Sequence, residues 1–253
     1  MCMSRSKTVL LAFPLTFGAL LLNPTCAASG VKAVDSPPAV TFVDVAAEAG
    51  LTHENVWGGI ERKTYIIEAK GSGLGFIDYN NDGWLDIFTT NGMRFGEDYS
   101  EGQAPTSHLY RNDQYGTFTD VAREAGIART GWQTGVCVGD FDNDGWEDLF
   151  TADWGHNALF RNRGDGTFQD VTKEAGLHKE QIRWASGCTW LDFDRDGALD
   201  LFVANYIELD IGKTAPPGKD PGCVWKGIPV LCGPRGLPGG INLLFRNLGD
   251  GKF

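Results

Sequence analysis

The chain has 253 residues and a formal net charge of −11. That length holds one large or two small domains, and the acidity argues against nucleic acid as a partner. With 34 Gly and 8 Trp, and short apolar runs set between Gly/Asp/Asn clusters, the texture is that of an all-β chain rich in turns.

The first element is a leader. Arg5 and Lys7 precede an apolar stretch from Val9 to Leu22, and Thr25-Cys26-Ala27-Ala28 then supplies small residues. This order predicts a signal peptide over 1–27, cleaved after Ala27, with a linker over 28–40. The apolar stretch is shorter than the roughly 20 residues needed to cross a bilayer. No later segment is apolar enough either, so no membrane span is expected in the mature chain. Leu22-Asn23-Pro24-Thr25 before Cys26 matches a lipobox poorly, which makes a lipoprotein the lesser alternative to a secreted, periplasmic or cell-surface protein.

From Thr41 onward the chain repeats. GLGFIDYNNDGWLDIFTTN from Gly73, GVCVGDFDNDGWEDLFTAD from Gly135 and CTWLDFDRDGALDLFVAN from Cys188 align with one another. Each is followed by a second unit: HLYRND at His108, ALFRNR at Ala158 and LLFRNL at Leu243. A third unit follows: GTFTDVAREAGI at Gly116, GTFQDVTKEAGL at Gly166 and GKF at Gly251. TFVDVAAEAGL at Thr41 is a further copy of that third unit. In the first repeat GLGFIDY, LDIFTT, HLYRN and TFTDV read as strands, and the EAG stretches as a helical turn between repeats. Four short strands per repeat of about 50 residues describe a propeller blade. The expected fold is therefore all-β over 41–253, built from β-propeller blades of four antiparallel strands. About three blades are present, with an outer-strand unit at 41–45. Propellers have four to eight blades, so the ring is incomplete and the chain is expected to be a piece of a longer one.

The turn between the first two strands of each repeat carries the chemistry. Asp78 to Asp86, Asp140 to Asp148 and Asp192 to Asp200 each read D-x-[DN]-x-D-G-x-x-D. Side-chain oxygens at positions 1, 3, 5 and 9, with a backbone carbonyl at position 7, can converge on a hard cation. The predicted ligands are Asp78, Asn80, Asp82, Trp84 and Asp86; Asp140, Asp142, Asp144, Trp146 and Asp148; and Asp192, Asp194, Asp196, Ala198 and Asp200. Two unit charges about 5 Å apart repel by roughly 3 kcal/mol at an effective dielectric of about 20. Four carboxylates in one turn therefore call for a counter-ion. An all-oxygen set with no Cys or His selects Ca2+, up to three ions, over zinc. An EF-hand is excluded, because position 12 is Thr89, Thr151 or Val203 instead of Glu, and the flanks are β-like.

With their F-x-D and L-[YF]-R-N surroundings, these loops resemble FG-GAP (VCBS) repeats. The order YIIEAKGSGLGFIDYNNDG, LYRN, GTFTDVAREAGI and CVWKGIPVLCGPRGLPGG further resembles bacterial relatives of the cartilage acidic protein family, whose propellers precede an ASPIC/UnbV domain. That resemblance implies an extracytoplasmic, calcium-stabilised propeller and leaves its ligand open.

Of the cysteines beyond the leader, Cys223 and Cys232 flank a short Pro/Gly-rich loop and form the expected disulfide. Cys137 and Cys188, in apolar segments, read as buried free thiols. Residues 206–241 form an insert in the third repeat, rich in Pro and Gly. Trp132 and Trp184 hold equivalent places, as packing residues or as a flat ligand platform. His53, His108, His156 and His178 share no metal spacing and no catalytic motif, so no enzyme activity is expected. The predicted function is a calcium-binding module that binds an extracellular protein or glycan. The alternatives are a propeller-scaffold enzyme acting on polysaccharide and a purely structural spacer.

Overall fold

The structure, a computed structural model, describes residues 40–178, 183–220 and 223–253. The signal peptide predicted over 1–27 and nearly all of the linker over 28–40 lie outside the described residues. The chain divides into two compact units, 1–43 and 44–253. In the first, the described residues 40–43 have no regular secondary structure. Every described strand belongs to the second.

Three antiparallel blades succeed one another in chain order, the second and third joined into one seven-stranded sheet through the pairs Trp154↔Trp184 and Gly155↔Arg183. β1 (Leu74–Ile77), β2 (Asp86–Thr89), β3 (His108–Asn112) and β4 (Phe118–Asp120) pair in sequence. β5 (Trp132–Gly139), β6 (Asp148–Gly155), β7 (Ala158–Asn162) and β8 (Phe168–Asp170) repeat that meander. In the third blade β9 (Arg183–Leu191) pairs with β10 (Asp200–Asn205). The 206–241 insert intervenes, with β11 (Val224–Trp225) and β12 (Ile228–Pro229) as a small hairpin, and then β13 (Leu243–Phe245) pairs with β10. The sheets do not close into a ring. The meander expected from the sequence is present. The strand expected at 41–45 is absent, because a strand needs a partner ladder and no described strand pairs with these residues.

Each blade is short and cannot bury both faces, so apolar side chains meet between neighbours. Ile77, Phe88 and Leu109 of the first blade pack with Leu149, Phe160 and Phe168 of the second. Phe150, Leu159 and Leu177 then pack with Leu201 and Val203 of the third. The first strands of successive blades approach backbone to backbone. A Cβ on Gly73 would lie 2.7 Å from Gly135 Cα, so that position tolerates no side chain. The EAG stretches form the expected single turn. Ala49, Ala125 and Ala175 donate to Val45, Val121 and Val171 at 2.8 Å, and each turn ends on a glycine of positive φ, Gly50, Gly126 or Gly176. The carbonyls of Ala49, Ala125 and Ala175 then accept the N–H groups of Phe118, Phe168 and Phe253. One repeat is thus sewn to β4 or β8 of the next, and in the third blade to Phe253.

Two disulfides are present among the described residues. Cys223–Cys232 closes the insert hairpin as expected. Cys137 and Cys188, expected as free thiols, are instead bonded to each other. Both lie on the first strand of their blade, and those strands run side by side, so their Cα atoms are 5.9 Å apart. Disulfides and blade repeats of this kind are features of extracellular or secreted proteins. Among the described residues no helix is long and apolar enough to cross a membrane. Trp132 and Trp184 are 6% and 1% exposed and sit in an aromatic cluster with Trp57, under Ile207 and Leu209 of the insert. They are packing residues and offer no ligand platform.

Candidate metal-binding loops

The three Asp-rich turns have one architecture. In the first, the position 1 carboxylate of Asp78 accepts the N–H groups of Asp82 (3.0 Å) and Gly83 (2.9 Å). Asp140 does the same for Asp144 and Gly145, and Asp192 for Asp196 and Gly197. At position 5, Asp82, Asp144 and Asp196 each accept the N–H of position 7, that of Trp84, Trp146 and Ala198. At position 9, Asp86, Asp148 and Asp200 are fully buried. One oxygen of each accepts the position 2 N–H, from Tyr79, Phe141 or Phe193. The other accepts the N–H of the third-strand Asn: Asn112, Asn162 or Asn247. Position 6 is glycine with φ between 85° and 90° in all three, a left-handed backbone that a Cβ would strain.

In the second and third loops the fold brings the carboxylates of positions 1, 3 and 9 together. Ligand-capable atoms of Asp140, Asp142 and Asp148 lie within 4.8 Å of one another, as do those of Asp192, Asp194 and Asp200. In the first loop Asn80 takes the place of the third carboxylate, and its Nδ2 donates to Asp82 at 3.1 Å. Asp82, Asp144 and Asp196 are more open to solvent than the position 9 groups.

The charge is incompletely offset. Arg161 lies 2.7 Å from Asp142 and 3.3 Å from Asp144, and Arg246 stands at the same distances from Asp194 and Asp196. One guanidinium faces four carboxylates in each case. Arg111, the equivalent in the first blade, pairs with Asp113. Burial pushes the Asp148 carboxyl up to about 7 and that of Asp86 up to about 6, and it raises Asp142 as well. Asp142 Oδ1 is buried without a hydrogen-bond partner. All side-chain donors in these loops are oxygens, and with the orphaned Asp142 oxygen they suit a hard divalent cation.

Each loop is also tied to the next blade. Asn81 Nδ2 donates to the Gly145 carbonyl (3.2 Å) and Asn143 Nδ2 to that of Gly197 (3.1 Å). In return Asn162 Nδ2 reaches the Tyr79 carbonyl at 2.8 Å and Asn247 Nδ2 the Phe141 carbonyl at 2.7 Å. A family profile described as the FG-GAP-like repeat matches residues 78–151 and 140–203, which takes in all three loops. The chain carries FG-GAP-like repeats on a β-propeller-like architecture. No curated protein sequence matches the FG-GAP chain. A solved structure titled for specific recognition of non-reducing terminal N-acetylglucosamine by an Agrocybe aegerita lectin aligns at 17% identity and a TM-score of 0.30. The alignment covers 72% of the FG-GAP chain and 39% of the lectin chain.

Sequence spacing missed one cluster. His53, His108 and Asp120, far apart along the chain, place ligand-capable atoms within 4.8 Å of one another. The sheet register brings them together: β3 and β4 pair antiparallel, and the Ala49–Phe118 bond docks the segment before His53 beside them.

Proposed function

We propose that this chain is an exported FG-GAP module that binds up to three Ca2+ and uses the resulting rigid blades for extracellular binding or adhesion. The ligands are the position 1, 3, 5 and 9 side chains and the carbonyls of Trp84, Trp146 and Ala198. The carrying observation is the repetition of one hydrogen-bond pattern in three loops, each holding a fully buried position 9 carboxylate that two N–H groups fix in place. A solvated turn needs no buried carboxylate, whereas a calcium cradle does. The disulfides and the sequence signal at 1–27 favour export.

The test is calorimetric titration of chelator-stripped protein with Ca2+, alongside thermal melts in millimolar calcium and in excess EGTA. Heat of binding and a higher melting temperature in calcium are expected. Identical melts without heat would remove the metal and the function built on it. A screen of glycans and extracellular proteins, run with and without chelator, separates a binding module from a spacer.

A further inference from the structure

We propose that His53, His108 and Asp120 form a second metal site on the first blade, one that takes Zn2+ rather than Ca2+. His108 opens β3, Asp120 ends β4, and His53 follows the first EAG turn. His108 Nδ1 lies 2.8 Å from Asp120 Oδ2, and His53 Nε2 lies 3.7 Å from the same oxygen. The two imidazoles stack with centroids 4.2 Å apart. Three donors of the right kind thus converge on one small volume.

Surrounding groups orient these donors. Tyr110 Oη is 3.2 Å from His53 Nδ1, which leaves Nε2 to face Asp120. Asp120 Oδ1 accepts the Leu109 and Ala122 N–H groups at 3.3 and 3.1 Å, so Oδ2 is the oxygen turned to the histidines. Outer hydrogen bonds of this sort fix ring and carboxylate orientation in metal sites.

Comparison of the blades separates this cluster from the repeat scaffold. In the second blade Asp170 keeps the scaffold bond, accepting the Thr172 N–H at 3.0 Å. Yet Ala158 stands where the first blade has His108, Phe160 where it has Tyr110, and Arg129 where it has His53. The scaffold therefore needs only the Asp, and all three additions fall together in one blade. Two imidazoles with one carboxylate suit zinc in preference to a hard cation. A cleft of about 180 Å³ opens beside the histidines, lined by Glu54, Thr89 and Asn91 among others, with space for a water or the Glu54 carboxylate as a fourth ligand.

The full chain is titrated with Zn2+ by calorimetry in excess Ca2+, which occupies the Asp loops, and Co2+ uptake is followed by visible absorption. One equivalent of zinc is expected at micromolar affinity. His53→Gln, at a half-exposed position that leaves the core intact, and His108→Ala should each weaken binding by more than 10-fold. Tyr110→Phe keeps all three ligands and should weaken it by about 10-fold. His156→Ala, on the second blade, should change nothing. Absence of micromolar zinc uptake, or affinity unchanged in both His53→Gln and His108→Ala, would overturn the assignment.

Discussion

Replacing Asp148 by Asn tests the middle loop, because its effect changes with calcium. Asp148 is buried, accepts two N–H groups, and has its carboxyl raised from 3.8 to about 7. A folded-state value above the unfolded one means a contribution present at low pH and lost as pH rises through about 7. Above both values the metal-free loop therefore carries a penalty of about 4 kcal/mol at 1.36 kcal/mol per pH step. Asn removes that penalty but turns an amide N–H toward a backbone N–H, which costs about 1–3 kcal/mol. At pH 8 in EGTA the variant should therefore exceed the wild type in stability by about 1–3 kcal/mol. In calcium at 100 times Kd, one lost site forfeits about 2.7 kcal/mol. For a domain of this size that is about 5–10 °C in Tm. Melts at pH 8 in both buffers, with calorimetric stoichiometry, provide the assay. Stoichiometry should fall by one, and the variant's advantage in EGTA should be cancelled or reversed in calcium. The same difference from wild type in both buffers, or unchanged stoichiometry, would show that Asp148 is a structural acceptor and no ligand.

Other changes probe the blade-to-blade links. Asn162→Ala removes the buried bonds to the Tyr79 and Glu147 carbonyls, so urea denaturation should show a loss of about 2–4 kcal/mol. Cys137→Ser with Cys188→Ser opens a loop of 51 residues and should cost about 4 kcal/mol, whereas opening the nine-residue Cys223–Cys232 loop should cost about 2.5 kcal/mol and act within the insert. Gly73→Ala places a methyl against the Gly135 backbone and should destabilise by about 1–3 kcal/mol in the same assay. Trp132→Ala should cost about 3–5 kcal/mol and lower the yield of folded protein, with no selective effect on ligand binding.

The meander and the Asp loops were legible because both are local. Alternating runs such as GLGFIDY end on Asp and Gly, and a nine-residue spacing closes each cradle within a single turn. What sequence reading lost was contact between repeats. Cys137 and Cys188 meet because Gly135 and Gly187 let two first strands touch, and spacing along one chain does not show that approach. Register hid the His53–His108–Asp120 cluster for the same reason: its members belong to three elements that only strand pairing aligns. The strand expected at 41–45 failed for the complementary reason, since an outer-strand sequence is a strand only beside a partner. Trp132 and Trp184 showed their equivalence in the sequence but not their cover, which the insert supplies through Ile207 and Leu209.

The inter-blade bonds bear on how a metal in one loop acts beyond it. Asn81 and Asn143 hold the carbonyl of the position 6 glycine in the next loop, while Asn162 and Asn247 hold the position 2 carbonyl of the previous one. The same Asn162 and Asn247 donate their backbone N–H to the position 9 carboxylates of their own blades. A cation drawing on Asp148 therefore fixes Asn162, which fixes Tyr79 and the loop before it. A pull of one or two hydrogen bonds, about 1 kcal/mol each, is enough to couple neighbouring sites several-fold. On the proposed function, calcium would order the stack of blades, and recognition would fall to the loops that the ordered stack holds still.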